Sequence, residues 1–383
     1  MTSKHATAND QATPTISVVI PCHNAATTVA ATLASIEASS MKVHEVVCVD
    51  DGSSDMTADV VERVATTTAV GIRLICLESN RGAAAARNRG AAEAVGKWLL
   101  FVDADVVLGI HAIKNLSTAL TGSASSIAAV AMYESTSVRP GPLAGFQALL
   151  VHQTYDAVCQ DDSPYFGTHT AMVSRTTFRQ VGGFDEQYLG ASVEDFEMGL
   201  RLRQAGVCLR LIQDAHVRHN HGYSWWSFTR NYYSKAAALV ALVRRAGPPA
   251  AELAGGYASV GNIAGPFLMP CQIVAAVMAL RQPTKCRIGF ALLPTVAAYL
   301  FWRGMVTTAV RHFGVVRALQ FVLLRCYATT VGSLGASTAL VRPRRFDRKA
   351  SLSPMPTQAF ATECAPPRRP HMFPATIPGG GRM

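Results

Sequence analysis

The sequence lacks the usual marks of a secreted or redox protein. Its nine cysteines stand singly and none forms a CxxC pair, a usage typical of reduced, cytosolic thiols rather than of a disulfide framework. Residues 1–14 are polar without an apolar signal core, so we expect a disordered lead-in there. Acidic residues are scarce as well. The formal net charge of +10 indicates an anionic partner such as a nucleotide, a nucleic acid or lipid headgroups.

Apolar residues are plentiful, at 49% of 383 residues, which is enough for one large domain with an addition or for two. The first hundred residues repeat one unit, an apolar run followed by a segment with helical spacing. The predicted strands are residues 15–21, 43–55 (ending in a polar turn), 72–77 and 97–108. Continuous apolar strands that alternate with helices are typical of a parallel sheet covered on both faces. The sequence therefore predicts an α/β fold with a doubly wound, mostly parallel sheet.

Polar residues collect where three of these strands end. They are residues 21–24 after the first strand, 50–55 after the second, and Asp103 with Asp105 in the fourth. Ligands of such sheets bind beyond the carboxyl ends of the strands, so the three groups predict one shared site. Any one of them alone is explained without a site, since a DDGS segment is an ordinary turn and helix cap.

Asp103 and Asp105 are two residues apart, so on a strand both side chains point to the same face. Two close negative charges repel unless a cation lies near them. Mg²⁺ and Mn²⁺ prefer carboxylate oxygens and often share them with substrate phosphates. A nucleoside diphosphate would complete that coordination. In the alternative interpretation both carboxylates are simply solvated at a strand end.

Four segments in order, "VVIPCHN", "VVCVDDGSSD", "NRGAAAARNRG" and "LLFVDAD", resemble family 2 glycosyltransferases with the GT-A fold. The resemblance covers about residues 15–245. It implies a Rossmann-like catalytic domain that binds a nucleotide-sugar donor and a divalent metal, Mn²⁺ or Mg²⁺. The glycines of "NRGAAAARNRG" do not match GxGxxG, so that segment is not a dinucleotide loop.

The resemblance implies a role for each matching residue. Asp105 would hold the metal on the diphosphate, and Asp103 would reach the ribose. The donor-binding residues it implies are Pro21, Asn24, Asp50, Asp51, Arg87 and Asp103.

Residues 165–206 resemble the acceptor half of the same family, with Glu194 and Asp195 at the start of a predicted helix. Inverting sugar transfer needs one base to take the proton of the attacking hydroxyl, and a carboxylate within hydrogen-bond reach can do so. We expect Asp195 to be that general base and Glu194 to lie on the acceptor side. Alternatively, the pair only caps the helix N-terminus, where the helix dipole favours negative charge.

The segment "DAHVRHNHGYSWWSF", residues 214–228, contributes a third metal ligand in this interpretation. The family often places a ligating histidine about here, so we expect His219, with His221 as the second candidate. Alternatively, these are surface or packing histidines. Trp225 would stack on an acceptor sugar or lie at a membrane interface. The QxxRW signature of processive synthases is missing, which favours single addition.

Residues 250–341 change character and predict hydrophobic, membrane-associated helices. Residues 253–280 carry no charge and exceed the roughly 20 residues that span a bilayer. Residues 288–310 and 318–341 are weaker candidates because they contain Arg303 and Arg325. Helices lying at the interface are the alternative, but we favour at least one span. Basic flanks at both ends place the catalytic domain on the cytoplasmic side of the inner or plasma membrane. Residues 342–383 predict a basic, Pro- and Arg-rich disordered tail.

The sequence thus favours a metal-assisted, inverting transferase of hexosyl type that uses a nucleotide-sugar, with UDP the favoured nucleotide. A lipid-linked or cell-envelope glycan acceptor follows from the membrane region. A catalytically silent membrane scaffold that keeps the fold is the alternative. Nucleic-acid binding is rejected, because the positive charge is concentrated at the membrane flanks and the tail rather than along one stripe.

Overall fold

The computed structural model describes residues 15–121, 126–156, 163, 165–188, 193–247 and 285–341. The predicted lead-in at 1–14, the uncharged run at 253–280 and the tail at 342–383 lie outside these residues. The strands are β1 (Ile16–Cys22), β2 (Glu45–Asp50), β3 (Ile72–Cys76), β4 (Trp98–Val102), β5 (Val106–Leu108), β6 (Ile127–Tyr133), β7 (Thr170–Ser174) and β8 (Cys208–His219). The helices are α1 (Val29–Glu37), α2 (Thr57–Ala65), α3 (Ala83–Glu93), α4 (Ala112–Leu120), α5 (Pro142–Asp156), α6 (Arg175–Gln180), α7 (Glu194–Gln204), α8 (Trp225–Ala246) and α9 (Lys285–Val341).

The strands form one eight-stranded sheet in the order β3-β2-β1-β4-β7-β6-β8-β5. The strands β1 to β4 pair in parallel, as their continuous apolar runs predict. Beyond β4 the sheet is mixed, because β7 runs antiparallel to both of its neighbours and β5 runs antiparallel to β8. The α/β class is confirmed, and the parallel character holds for the first half of the sheet.

The predicted fourth strand, residues 97–108, is in fact two strands on different parts of the sheet. Strand β4 ends at Val102, and a turn follows in which the N–H of Val106 donates to the carbonyl of Asp103 at 3.1 Å. The chain then continues as β5, which pairs with β8 at the far edge. The expectation that Asp103 and Asp105 share one face of a strand is therefore wrong, since both lie in the turn.

The core beneath this turn is aromatic. Phe101 of β4 lies 5.1 Å from Phe178 and 5.2 Å from Phe184 between ring centroids. Phe166 approaches Phe101 edge-on at 6.1 Å. Rings in such contacts bury large apolar areas and fix each other's orientation. These aromatic contacts therefore hold the end of β4, and with it the start of the turn, in a fixed position.

The cysteines do not all behave as their spacing predicted. Cys22, Cys48, Cys76 and Cys326 are free, but Cys208 is disulfide-bonded. The expectation of uniformly reduced thiols is wrong at that position.

The helix α9 packs against α8 and α5 and carries non-helical backbone at Trp302 and Gly314. Its approach to α8 is close, since a Cβ on Gly335 would lie within 2.2 Å of the carbonyl oxygen of Tyr233. No helix among the described residues is long and apolar enough to cross a bilayer. The predicted segments at 288–310 and 318–341 both lie within α9, and neither meets this requirement among the described residues.

Candidate active site

A cavity of about 1180 Å³ opens at the carboxyl ends of β1 and β4. The turn after β4, the start of α7, the end of β8 and the helices α5, α8 and α9 form the rest of its wall. Most of the predicted site residues line it, namely Pro21, Asn24, Asp51, Arg87, Asp103, Asp105, Glu194, Asp195 and His219. The shared site predicted from the strand ends is therefore a single cavity.

Two predicted residues stand apart from this wall. Asp50 is buried behind it, where its carboxylate accepts a hydrogen bond from the hydroxyl of Ser53. Trp225 is 58% exposed at the start of α8 and packs edge-on against Phe228 and Tyr327. Neither side chain is among the residues that line the cavity.

The wall formed by the ends of β1 and β2 is called the donor wall here and comprises residues 21–24 and Asp51, with residues 52–54 continuing the same turn. Asn24 takes the left-handed backbone conformation at φ 50°, which asparagine tolerates better than most residues. Its amide oxygen accepts from the N–H of Ser54 at 2.9 Å. Gly52, at φ 61°, lets the turn lie against Ser79 and Asn80, where a Cβ would approach to 2.7 Å.

Asp51 connects the donor wall to the start of α3. Its carboxylate accepts from the backbone N–H groups of Arg81 and Gly82 at 2.7 and 2.8 Å. The side chain is buried, with 2% of the residue exposed. Because these two N–H groups precede the helix, Asp51 fixes the position from which α3 presents Arg87 to the cavity.

Arg87 is the charged centre of the site. It is 3% exposed, and it pairs with Asp103 at 2.7 Å and with Glu194 at 3.1 Å. Its guanidinium also lies 5.5 Å above the ring of Phe184. Burial opposes the charged form, but the two carboxylates outweigh it and raise the pKa of Arg87. One arginine thus ties α3, the turn after β4 and α7 together.

Asp103, Asp105 and His219 form a cluster that could hold a metal ion. One ligand atom from each lies within 4.8 Å of the others. The Nε2 atom of His219 is 3.4 Å from Oδ1 of Asp105. Two carboxylates and an imidazole suit Mn²⁺ or Mg²⁺. Burial raises the pKa of Asp105, as does the charge of Asp103, and His219 opposes the rise. A cation would relieve this repulsion.

Asp195 lies in the first turn of α7 and faces the same cavity. Burial, together with the charge of Glu194, raises the pKa of Asp195 to about 7, although Lys235 opposes the rise. Its Oδ1 accepts from the N–H of Phe196 at 2.9 Å. A carboxylate with this pKa is suited to accept a proton near neutral pH.

Several cavity residues escaped the reasoning from sequence. His169 lies between Tyr133, whose ring it stacks on at 3.9 Å, and the carbonyl of Ala131, 3.1 Å from its Nε2. Burial lowers the pKa of His169 to about 3, so its imidazole is neutral. The other wall residue of note is Lys235 on α8. His169 could have been found from the polar triplet "THT" at the start of the buried strand β7. No local sequence pattern indicates that Lys235 lies in the cavity wall.

Comparisons with known proteins identify similar chains. Residues 17–182 match the family model of Glycosyl transferase family 2. A validoxylamine A glucosyltransferase from Streptomyces hygroscopicus subsp. jinggangensis is 28% identical over 232 residues, 53% of this chain and 54% of the relative. An Escherichia coli UDP-Glc:alpha-D-GlcNAc-diphosphoundecaprenol beta-1,3-glucosyltransferase is 33% identical over 92 residues, 24% of this chain and 35% of the relative. The chain spans about half the length of the first of these and less of the second.

A solved structure with a similar fold is a mannosyltransferase from Pyrobaculum calidifontis in complex with GDP-Man and Mn²⁺. The TM-score is 0.54 at 21% sequence identity, covering 82% of this chain and 87% of the other. This likeness supports the predicted GT-A fold. The family match covers β1 to β4, the donor wall and the turn with both aspartates. Residues 17–182 of the chain thus resemble glycosyl transferase family 2.

Proposed function

We propose that this chain transfers a sugar from a nucleotide-sugar donor to a hydroxyl group of an acceptor, with the aid of a divalent metal. One observation carries the proposal: the Asp103, Asp105 and His219 cluster lines the same cavity as Asp195. The cavity therefore contains both a group that can hold a diphosphate through a cation and a base of suitable pKa. The match of residues 17–182 to glycosyl transferase family 2 supports a nucleotide-sugar as the donor.

Each side chain has a role in this reaction. Asp103, Asp105 and His219 would hold Mn²⁺ or Mg²⁺, which would stabilise the negative charge of the leaving diphosphate. Arg87 keeps Asp103 in place and offsets the charges of Asp103 and Glu194. Lys235 adds a positive charge to the cavity wall. Pro21, Asn24 and Asp51 line the end of the cavity that would receive the nucleotide.

Asp195 is the general base of the proposed reaction. Its carboxylate takes the proton of the acceptor hydroxyl while that oxygen bonds to the anomeric carbon. The bond between this carbon and the diphosphate oxygen breaks on the opposite side, so the configuration inverts. A single base is sufficient, and no covalent intermediate is required.

The donor nucleotide is proposed to be UDP. The Escherichia coli relative is named as a UDP-Glc-dependent glucosyltransferase, which supports this choice. The same name contains a diphosphoundecaprenol acceptor, which supports a lipid-linked or cell-envelope acceptor for this chain.

An exposed apolar face on α9 supports a membrane partner. Five residues on one side of the helix are 56% to 78% exposed, namely Val316, Leu319, Leu323, Leu334 and Val341. Helical spacing places them within about 60° of one another. Arg311 and Arg317 are also exposed on α9. Apolar residues flanked by positive charge suit the surface of an anionic bilayer. We therefore propose that α9 lies on such a surface, with the cytoplasmic leaflet of the inner or plasma membrane as the predicted one.

The alternative is a membrane scaffold that keeps the fold without catalysis. A silent relative would be free to lose Asp105 or Asp195, and both are present in the cavity. The two functions differ in one measurement, which is turnover.

The test is a screen of UDP-glucose, UDP-GlcNAc and GDP-mannose with the purified full chain in detergent, with and without Mn²⁺. We expect metal-dependent binding of one nucleoside diphosphate and metal-dependent hydrolysis or transfer of the matching sugar. The matched variant is Asp105→Asn, which should bind Mn²⁺ about 10- to 100-fold more weakly because one carboxylate ligand is lost. No binding of any nucleoside diphosphate, with or without Mn²⁺, would overturn the proposal. Binding without turnover would favour the scaffold.

A further inference from the structure

Three consecutive residues at and just after the end of β8 carry polar atoms without partners. They are Nδ1 of His219, Oδ1 of Asn220 and Nε2 of His221, which are buried and find no hydrogen-bond partner among the described residues. Asn220 is 8% and His221 is 6% exposed. All three residues line the cavity. Buried polar atoms are nearly always hydrogen-bonded, so this tripeptide is the part of the wall that most needs a ligand.

The tripeptide is fixed in place by other contacts. The N–H of Asn220 donates to the carbonyl of Asp105 at 2.7 Å, and the carbonyl of His219 accepts from the N–H of Val138 at 3.1 Å. The ring of His221 stacks between His219, at 3.8 Å, and Tyr223, at 5.3 Å. Because backbone and rings are held, the unpaired atoms do not find partners by a small local shift.

The chemistry of these atoms selects the ligand. Oδ1 of Asn220 accepts hydrogen bonds. Nε2 of His221 accepts or donates a hydrogen bond according to the tautomer of the ring. A hydroxyl group both donates and accepts. The hydroxyl groups of a sugar ring therefore match these atoms.

We propose that Asn220 and His221 form the sugar subsite: Oδ1 of Asn220 and Nε2 of His221 hydrogen-bond two different hydroxyl groups of the sugar that is transferred. This inference rests on the proposed function and adds the residues that select the sugar. Their position supports it, because they follow His219 directly and the sugar of a metal-held nucleotide-sugar adjoins its diphosphate. A site built to bond a hydroxyl rejects an analogue that lacks it.

A competing assignment makes His221 a metal ligand in place of His219. The geometry favours His219, since His221 is not part of the group whose ligand atoms lie within 4.8 Å. The two assignments predict different losses in a His221 variant. A sugar contact affects only the sugar nucleotide, whereas a metal ligand affects Mn²⁺ and the nucleoside diphosphate as well.

The experiment compares His221→Phe and Asn220→Leu with the wild-type chain. Phenylalanine keeps the stacked ring of His221 and removes its nitrogens, and leucine replaces the amide at similar volume. Calorimetry measures the Kd of Mn²⁺, of UDP and GDP with Mn²⁺, and of the best-bound sugar nucleotide among UDP-glucose, UDP-GlcNAc and GDP-mannose. The matched control is His111→Phe, because the ring of His111 is exposed, bonds Ser40 and lies outside the cavity.

We expect each variant to bind the sugar nucleotide about 10- to 100-fold more weakly and to bind Mn²⁺ and the nucleoside diphosphate as the wild type does. Unchanged diphosphate binding also shows that the variant is folded. Among monodeoxy analogues of the sugar, one should bind the wild type and the variant equally. Undiminished affinity for the sugar nucleotide in both variants would overturn the subsite, as would a matching loss of Mn²⁺ affinity. If the wild type binds no sugar nucleotide at all, the proposed function fails instead.

Discussion

The two sides of the cavity differ in how their polar groups are satisfied. On the donor wall, Asp51 accepts two backbone N–H groups and Asn24 accepts another. At the end of β8, Asn220 and His221 leave buried polar atoms without partners among the described residues. The donor wall is therefore held in shape by its own polar residues. The β8 side keeps its hydrogen-bonding capacity for a ligand.

This difference separates two kinds of substitution. A residue that bonds the protein itself supports the fold, so its loss should lower stability together with donor binding. A residue that faces the cavity with an unpaired or poorly solvated polar group lowers the stability of the fold. Its replacement should therefore reduce activity without reducing stability. Each prediction below places one residue on one side of this division.

The largest effect is expected at Asp195. Replacement by asparagine removes the proposed base, and general-base catalysis contributes about 10²- to 10⁴-fold. We expect Asp195→Asn to lower kcat by that range while donor binding, measured by calorimetry with UDP and Mn²⁺, is unchanged. The midpoint of thermal unfolding should stay the same or rise, because a poorly solvated carboxylate is replaced by a neutral amide. Wild-type turnover by this variant would remove Asp195 from the base role.

Arg87 should show the largest effect on stability. Arg87→Met leaves Asp103 and Glu194 without their buried counter-charge, and breaking such a pair costs about 3 to 5 kcal/mol. Denaturant unfolding measures the loss. The matched control is Arg81→Met, whose pair with Glu186 is exposed and should cost at most about 1 kcal/mol. An equal loss of unfolding free energy in the two variants would show that the burial of Arg87 does not add to the cost of breaking its ion pairs.

Asp51→Ala should cost about 1 to 3 kcal/mol, because the buried N–H of Gly82 and the partly buried N–H of Arg81 lose their acceptor. The control is Asp59→Ala, an exposed position in the first turn of α2, which should cost about 0.3 to 1 kcal/mol through the helix dipole. Denaturant unfolding compares the two variants. A fully stable Asp51→Ala chain would mean that the donor wall is not held by its own hydrogen bonds, and the contrast between the two sides would lose its basis.

Much of the donor side could be predicted from sequence because its signals are local. Each βα unit from β1 to α3 carries its own apolar run, helical spacing and polar strand end within about 30 residues. Pro21, Asn24 and Asp51 follow from that pattern together with the family resemblance, and the cavity brings all three together. The same holds for Asp195, which begins a helix as predicted.

The rest depends on contacts that no local pattern encodes. The apolar residues of the segment 97–108 continue past Asp105, yet β5 forms by pairing with β8, more than a hundred residues later. Arg87 meets Glu194 across 107 positions. The wall residues on α9, such as Thr329, line the cavity because α9 packs on α8. From the sequence alone, an apolar helix with one packed side and one exposed side is hard to distinguish from a membrane span.

The pH dependence of turnover tests Asp195, in the first turn of α7. Burial raises the pKa of Asp195 to about 7, and the base acts in its ionised form. We therefore expect kcat/KM to be flat above pH 7 and to fall about tenfold for each pH unit below it. The control is the residual activity of Asp195→Asn, which should lose this step. A wild-type profile that stays flat down to pH 5 would contradict the raised pKa.

The smallest effect on stability is expected on the exposed side of α9, which extends the comparison to a third surface. Leu323 is 60% and Leu334 is also 60% exposed, so the double variant Leu323→Ser with Leu334→Ser should change stability by less than about 0.5 kcal/mol per site. Leu324, the next residue along, is 6% exposed, and Leu324→Ser should cost about 2 kcal/mol or more. One position along the helix thus separates a structural leucine from an accessible one.

Binding to vesicles decides what the accessible leucines do. With vesicles containing about one-third phosphatidylglycerol, sedimentation should recover the wild-type chain and markedly less of the double variant, since about 1.5 to 3 kcal/mol of transfer free energy is lost for each fully inserted leucine. Added salt should weaken vesicle binding of both the wild type and the double variant, because the exposed Arg311 and Arg317 would contact the anionic headgroups. A wild-type chain that leaves such vesicles unbound at low salt would rule out the proposed membrane surface. The cavity would then keep its function without a lipid partner, because its lining includes the metal cluster and the base but none of the exposed leucines of α9.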